Sequence, residues 1–161
     1  KRINVSDLNN LFQTTNAARG QVSIQNNTTV TDITAAGTFV EAGVNGVFDT
    51  STAIDFTALT DNRIGVRYTG ATARIFYVFG SYDGTAGNNQ MLAIRLAKNG
   101  VSIPETECRA FTASNLAEAK LACAWMISLS TNDTVSIMLA NPDHTHDISL
   151  KRGRVVANAI P

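Results

Sequence analysis

The chain has 161 residues, a length that suits one domain with a sizeable hydrophobic core. Its 13 basic and 13 acidic residues cancel, and charged residues make up only 16% of the chain. This composition excludes the basic footprint of a nucleic-acid-binding protein, and no apolar run is long enough for membrane insertion. Nineteen Thr and fifteen Asn supply a neutral polar surface of the kind found on strands and tight turns.

The first twenty residues differ from the rest of the chain. Ser6 can cap a short helix with Leu8, Leu11 and Phe12 on one side, after which the segment becomes polar. We predict that residues 1–20 form an arm that attaches the domain to a larger assembly. A frayed terminus is the alternative.

From residue 21 to residue 161 the sequence predicts a single all-β domain. Short alternating segments are separated by Asn, Gly, Asp or Pro, and one rival helix at 114–122 is expected to form at most a single turn. About ten strands at this spacing indicate an antiparallel jelly-roll sandwich. The candidate strands are 21–25, 28–33, 38–42, 63–69, 73–82, 90–98, 107–111, 120–129, 134–139, 147–152 and 154–160.

The segment 125–139, "WMISLSTNDTVSIML", alternates on both sides of a central turn. One face is predicted to be core and carries Trp125, Ile127, Leu129, Val135, Ile137 and Leu139. A three-residue loop at 131–133 would pair the two arms and set Met126 opposite Met138 on the other face. Solvent would favour charged residues or Thr there, so a second protein surface is the simplest cover for two methionines.

Other strands are also apolar on both faces. In 73–82, Ile75, Tyr77 and Phe79 share one face, while Phe76, Val78 and Tyr82 share the other. In 120–129 the outer face carries the small residues Ala122 and Ala124 beside Met126. A strand buried inside one chain would explain this pattern, but self-association into a closed symmetric oligomer explains it without a covering helix.

Three stretches in this order carry a family resemblance: "RYTGATARIFYVFGSY", "NNQMLAIRLAKNG" and "ISLSTNDTVSIML". They resemble the central strands of TNF-like and complement-globular-head jelly rolls, and more closely the versions found in structural proteins of tailed phages and other viruses. The resemblance extends from about Asn62 to the C-terminus.

That resemblance implies a ten-stranded sandwich in a compact homotrimer at the tip, spike or decoration of a larger assembly. The chain lacks a Gly-X-Y run, so a collagen stalk and its partners are not implied. In such a trimer the residues turned toward neighbouring protomers would be Phe76, Tyr82, Ala122, Ala124, Met126 and Met138.

Few residues offer chemistry. In "NPDHTHDIS", His144 and His146 share one face of an extended segment, so they are candidate metal ligands or a pH-sensitive clamp. A polar loop is the competing interpretation. Ser149 or Cys108 with His146 would supply parts of a hydrolytic site, but no recognised motif surrounds them. We therefore predict no catalytic residues, no cofactor and two free thiols, with Cys123 a small buried hydrophobe.

Two further stretches are candidate contact sites. "SYDGTAGNN" (81–89) is predicted to be an exposed hairpin loop whose Asp83, Asn88 and Asn89 contact a partner. "KRGR" (151–154) is predicted to be a local turn or a salt-bridge site between protomers.

The sequence thus predicts a non-enzymatic virion structural protein. In that role a trimeric spike or decoration domain on a capsid or tail would bind other virion proteins through its arm and stabilise the particle or contact a host receptor or glycan. A secreted ligand of the complement-globular-head type, binding a receptor or glycan, is the alternative. A sandwich-fold hydrolase is the third hypothesis.

Overall fold

The computed structural model describes residues 17–44, 53–59, 61–113 and 118–160 of the chain. These residues form twelve strands and one 3-10 turn, Pro104–Thr106. The strands are β1 Arg19–Ile24, β2 Val30–Thr31, β3 Val40–Glu41, β4 Phe56–Ala58, β5 Gly65–Tyr68, β6 Arg74–Thr85, β7 Gln90–Lys98, β8 Val101–Ser102, β9 Cys108–Thr112, β10 Ala119–Leu129, β11 Thr134–Ala140 and β12 Ile148–Ala159. No helix in these ranges is long and apolar enough to cross a membrane.

The strands form two antiparallel sheets. The first sheet has the order β1-β12-β6-β10, and β2 adds to β12. The second has the order β4-β5-β11-β7-β8, and β3 adds to β11 while β9 adds to β7. Consecutive long strands alternate between the sheets, because β6, β10 and β12 lie in the first sheet whereas β7 and β11 lie in the second. The predicted antiparallel jelly-roll sandwich is confirmed.

The core lies between the two sheets and is organised around three aromatic rings. Phe56, Tyr68 and Phe76 pack in mutual contact, with ring centroids 4.9 to 5.2 Å apart. Gly80 on β6 faces the same space, and a Cβ there would lie 2.7 Å from Cγ2 of Ile137. A glycine at this position therefore allows the sheets to approach closely.

Most predicted strands are present within two or three residues of their expected bounds, and 90–98 coincides with β7. The sequence missed the short strands β4 and β8. The two segments predicted at 147–152 and 154–160 form one strand, β12, so 151–154 is not a turn. Leu8, Leu11 and Phe12 of the arm lie outside the described residues, as do residues 114–117 of the rival helix, whereas residues 119–122 belong to β10.

The predicted hairpin at 125–139 is wrong. β10 pairs with β6 in the first sheet, whereas β11 pairs with β7, β5 and β3 in the second. The Ser130–Asp133 turn therefore carries the chain from one sheet to the other, and Met126 and Met138 are not paired. The 81–89 segment is not a hairpin loop either, because β6 continues to Thr85 and the chain then crosses to β7.

The predicted outward direction of Phe76 and Tyr82 is also wrong. Both side chains are buried in the core, and the alternate residues Ile75 and Tyr77 are the exposed ones. Polar residues identify the solvent-facing side of this strand in the sequence. Ser81 and Asp83 alternate onto the same face as Ile75 and Tyr77, opposite the face of Phe76. Gly80, in phase with Phe76, marks the closely packed side.

Two predictions for β10 and β11 also need correction. Met138 points outward from the second sheet but is buried by its own chain, with Glu41 on β3 and Arg95 on β7 as its register partners. Trp125 has the phase of the core yet is 46% exposed, because β10 is the edge strand of its sheet. The core placement of Ile127, Leu129, Val135, Ile137 and Leu139 is confirmed.

Candidate functional site

The outward face of the first sheet is apolar at one end. Register places side chains in rows across β12, β6 and β10, two of which are Asn158–Tyr77–Met126 and Val156–Phe79–Ala124. The backbone N–H of Ile160 donates to the carbonyl of Ile75, which extends the face by one more row. We define the apolar end as Ile75, Tyr77, Phe79, Ala124, Met126, Val156 and Ile160.

The apolar end is not covered by the described part of the chain. Met126 is 66% exposed, Ile75 54% and Tyr77 49%. Ile75 and Ile160 line a shallow cleft together with Arg74. Scattered single apolar residues are normal on a surface, but neighbours in adjacent rows form a contiguous patch of the kind that marks an interaction site.

Of the residues predicted at an oligomer interface, the structure brings three together on this face: Met126, Ala124 and Ala122. Ala122 is exposed and Ala124 half-buried, as their predicted outward direction requires. Phe76, Tyr82 and Met138 are excluded by burial, and sequence reasoning missed Ile75, Tyr77 and Ile160 as exposed interface candidates.

The other end of the same face is cationic. The next two rows are Ser23–Arg154–Ser81–Ala122 and Arg152–Asp83–Lys120. We define the cationic end as Ser23, Ser81, Asp83, Lys120, Arg152 and Arg154. These residues line a cleft of about 430 Å³.

The local conformation of β12 produces this end. Register shifts by one residue between Leu150 and Arg152, so Lys151 is the extra residue of a β-bulge. Asn27, itself buried, secures the bulge: its side-chain amide donates to the Leu150 carbonyl and its backbone N–H donates to the Lys151 carbonyl. Gly153 then turns inward, where a Cβ would lie 2.4 Å from Cδ1 of Ile64, so the arginines on either side of it point outward.

Asp83 lies at the floor of the cleft and is not fully paired. Its Oδ2 is 3.8 Å from a guanidinium nitrogen of Arg152, and its buried Oδ1 has no hydrogen-bond partner among the described residues. The hydroxyl of the neighbouring Tyr82 is likewise buried without a partner. Burial, with a further contribution from the Asp83 charge, raises the pKa of Tyr82 well above its ordinary value. The predicted loop position of Asp83 is wrong, because it lies within β6.

The outward face of the second sheet is different, because the chain itself covers it. The Arg95 guanidinium lies 3.9 Å from the ring centroid of Phe39 and pairs with Glu107, which also accepts from Arg109. Burial would raise the pKa of Glu107, but the hydrogen bonds from the two arginines outweigh it and hold that pKa below its ordinary value.

Polar groups near β11 also contact one another, although Oε2 of Glu41 is buried without a hydrogen-bond partner among the described residues. Ser136 donates a hydrogen bond of 2.9 Å to Glu41, and the Arg63 guanidinium lies 3.7 Å from the same carboxylate. Burial is the larger effect on this carboxyl and raises the pKa of Glu41 despite those contacts.

The predicted chemical residues do not form a recognisable centre. The His144 and His146 rings are exposed, with centroids 5.7 Å apart, and the described residues contain no group of three or more possible metal ligands. Cys108 lies on β9 of the second sheet, whereas Ser149 lies on β12 of the first. Asn88 and Asn89 are exposed between β6 and β7, where contact with a partner remains a prediction.

Both cysteines are free thiols, as expected from the sequence. Cys123 is buried, and burial, with a smaller contribution from the nearby Cys108, raises its pKa to about 12. A thiol that resists ionisation at neutral pH is a poor nucleophile, so Cys123 acts as a small core residue.

Comparison with known proteins identifies the fold. The chain is similar to the globular domain of the zebrafish Complement 1qA protein, at 14% identity and a TM-score of 0.54, over 89% of this chain and 96% of that one. It is similar to PRD1 vertex protein P5, at 12% identity and a TM-score of 0.56, over 90% and 98% of the two chains. Murine APRIL at pH 5.0 matches at 10% identity and a TM-score of 0.51, over 87% and 98%.

No protein-family model and no curated protein sequence matches the chain. At 10 to 14% identity the structural similarity establishes the fold alone. Each match spans 96 to 98% of the other solved chain. The chain has the TNF-like jelly-roll fold that these three proteins share.

Proposed function

We propose that this protein is a non-enzymatic virion structural protein, in which three copies associate through the apolar end to form a spike or decoration domain on a capsid or tail. The observation that carries the proposal is the uncovered apolar end of the first sheet. On the second sheet, by contrast, other described residues pack over part of the outward face, where Met138 is buried.

Covering the apolar end would contribute favourably to association. Covering a half-exposed residue such as Tyr77, Met126 or Ile75 contributes roughly 1 kcal/mol. Each copy therefore brings several kcal/mol and three copies bring roughly 10 kcal/mol. A trimer forms in two association steps that each cost roughly 4–15 kcal/mol, so contacts beyond the apolar end would also have to contribute. The number three comes from the resemblance of the central strands to TNF-like trimers.

The virion role rests on two supports. The fold is shared with a viral vertex protein, PRD1 P5, over nearly the whole of both chains. Residues 1–18 precede β1 and include Leu8, Leu11 and Phe12, which suit an attachment arm for other virion proteins, whereas residues 19 and 20 of the predicted arm belong to β1. The domain would then stabilise the particle or contact a host receptor or glycan.

The test is the solution mass by light scattering of the wild type and of a Tyr77→Glu, Met126→Glu double variant. Tyr77 and Met126 are register partners, so the variant places two like charges in the centre of the apolar end. We expect three chains for the wild type and one folded chain for the variant.

The matched control is Val101→Glu, Phe111→Glu on the second sheet. These two side chains are 70% and 56% exposed, yet they lie outside the proposed interface. The control should keep the wild-type mass. A wild type that is a folded monomer at micromolar concentration would contradict the assembly. An equal loss of mass in both variants would show that the apolar end is not the specific interface.

A secreted ligand is the second candidate, favoured by the similarity to the Complement 1qA head. Both candidates use the same trimer, so mass does not separate them. Cryo-EM density for this domain on purified particles would support the virion role, whereas recovery of the protein free in the medium would favour the ligand.

A further inference from the structure

The cations at the cationic end lack the close acidic partners that several other cations in the described chain possess. Arg63 pairs with Asp61, Arg95 with Glu107 and Lys98 with Asp133. At the cationic end, by contrast, Arg152 reaches Asp83 only at 3.8 Å. Among the described residues neither Lys120 nor Arg154 forms a salt bridge.

The charges in this cleft do not cancel. Lys120, Arg152 and Arg154 contribute three positive charges, and Asp83 contributes one negative charge. Lys151, the extra residue of the bulge, is also exposed but is not among the residues that line the cleft. The chain as a whole is neutral, so this local excess of positive charge is a specific feature of one end of one sheet.

Arg154 lies between two unused hydroxyl groups. Register places Ser23 on one side of it and Ser81 on the other, and neither hydroxyl donates to a described residue. Arg154 itself donates one N–H to Gln21, which anchors the guanidinium and leaves its other donors available. A planar guanidinium flanked by hydroxyl donors matches the geometry of a carboxylate, sulfate or phosphate group.

Asp83 determines where an anion is able to bind. Its carboxylate lies in the next row, beside Arg152 and Lys120, and would repel an anion there. The row of Arg154 contains no acidic residue. An anion would therefore lie over Arg154, while Lys120 and Arg152 add attraction at longer range.

We propose that the cationic end is a binding site for one oxyanion group, a carboxylate, sulfate or phosphate, held by Arg154 and the hydroxyls of Ser23 and Ser81. The cleft of about 430 Å³ has room for a sugar or another small group that carries the anion. The site is formed within one chain and does not depend on the assembly proposed above.

The test is a titration followed by two-dimensional NMR at constant ionic strength, with sodium chloride as the reference salt. Sodium sulfate and sodium phosphate represent free inorganic anions, sodium glucuronate represents a carboxylate on a sugar, and glucose is the neutral control. We expect saturable shifts of the amides of 23, 81 and 154 with at least one oxyanion and none with glucose. Tighter binding of sulfate or phosphate would indicate a site for a free inorganic anion, whereas tighter binding of glucuronate would indicate a site for a carboxylate on a sugar.

Arg154→Gln should weaken this binding by about tenfold or more, because a charge-assisted contact is lost. Arg67→Gln, an exposed arginine on β5 of the second sheet, is the matched control and should change the affinity by less than about twofold. Thermal melting of both variants checks that they are folded.

Shifts equal to those in chloride would overturn the proposal, and so would an affinity that Arg154→Gln leaves unchanged. The Tyr77→Glu, Met126→Glu variant should keep its affinity whether or not the wild type is a trimer. Loss of binding in that folded variant would show that a neighbouring chain completes the site, which also contradicts the single-chain site proposed here.

Discussion

The outward faces of the two sheets carry similar residue types but differ in how far those residues are buried and paired. On the second sheet Met138 is buried, Arg95 is paired with Glu107 beside Phe39, and Ser136 is bonded to Glu41. On the first sheet Met126 is 66% exposed and Lys120 has no acidic partner among the described residues.

The difference comes from the path of the chain. The second sheet receives β3 and the segment around the 3-10 turn, which bring Phe39, Glu41 and Glu107 toward its outward side. No described segment crosses the corresponding side of the first sheet at the apolar end. The outward face of the second sheet is covered in part by its own chain, whereas the apolar end of the first sheet is exposed and available to a second molecule.

The largest expected effect lies in the core, on the inward face of the first sheet. Phe76→Ala removes one ring of the aromatic core and should lower the free energy of unfolding by about 3–5 kcal/mol. Phe111→Ala, on an exposed aromatic of the second sheet, should change it by less than about 0.5 kcal/mol. Urea unfolding measures both. A loss for Phe76→Ala as small as that for Phe111→Ala would contradict the inward phase of Phe76 on β6.

The next effect tests the closure of the second sheet. Glu107→Gln removes the carboxylate that accepts from Arg95 and Arg109, and the free energy of unfolding should fall by about 1–3 kcal/mol. Glu105→Gln, two residues away and exposed, is the matched control and should behave as the wild type. A Glu107 variant as stable as the control would show that the ion pair does not hold this face closed.

The smallest effect is a pH dependence at one end of the second sheet. Burial would raise the pKa of Asp133, but hydrogen bonds from Asn99, Lys98 and the Ser130 amide outweigh it and lower the pKa to about 2 from an ordinary 3.8. The folded pKa is below the unfolded one, so the stabilisation is present above about pH 4 and is lost as pH falls toward 2.

Asp133→Asn should therefore lower Tm by a few degrees at pH 7, and its difference from the wild type should shrink between pH 4 and pH 2. Differential scanning calorimetry at several pH values measures this. Asp143→Asn, in an exposed loop, should match the wild-type Tm at pH 7. A difference for Asp133→Asn that stays constant through the acid range would contradict the assignment.

Part of the candidate site was predictable. The outward direction of Met126 followed from alternation, because side chains on a strand point to opposite faces with a period of two. Arg152 and Arg154 stood out as a cation-rich run. The bulge that exposes Lys151 was not predictable, because it depends on hydrogen bonds from Asn27, which is more than a hundred residues away.

The sequence by itself determined the class of structure and most of the strands, since turn residues and alternating apolar residues are local signals. It also established that several strands are apolar on both faces. Only the tertiary structure decided which face of β6 is core, that β10 and β11 lie in different sheets, and that Met138 is covered while Met126 is not. Local alternation separates the two faces of a strand but does not show which of them faces the core. Which face is buried depends on long-range strand pairing and on which segments cross each sheet.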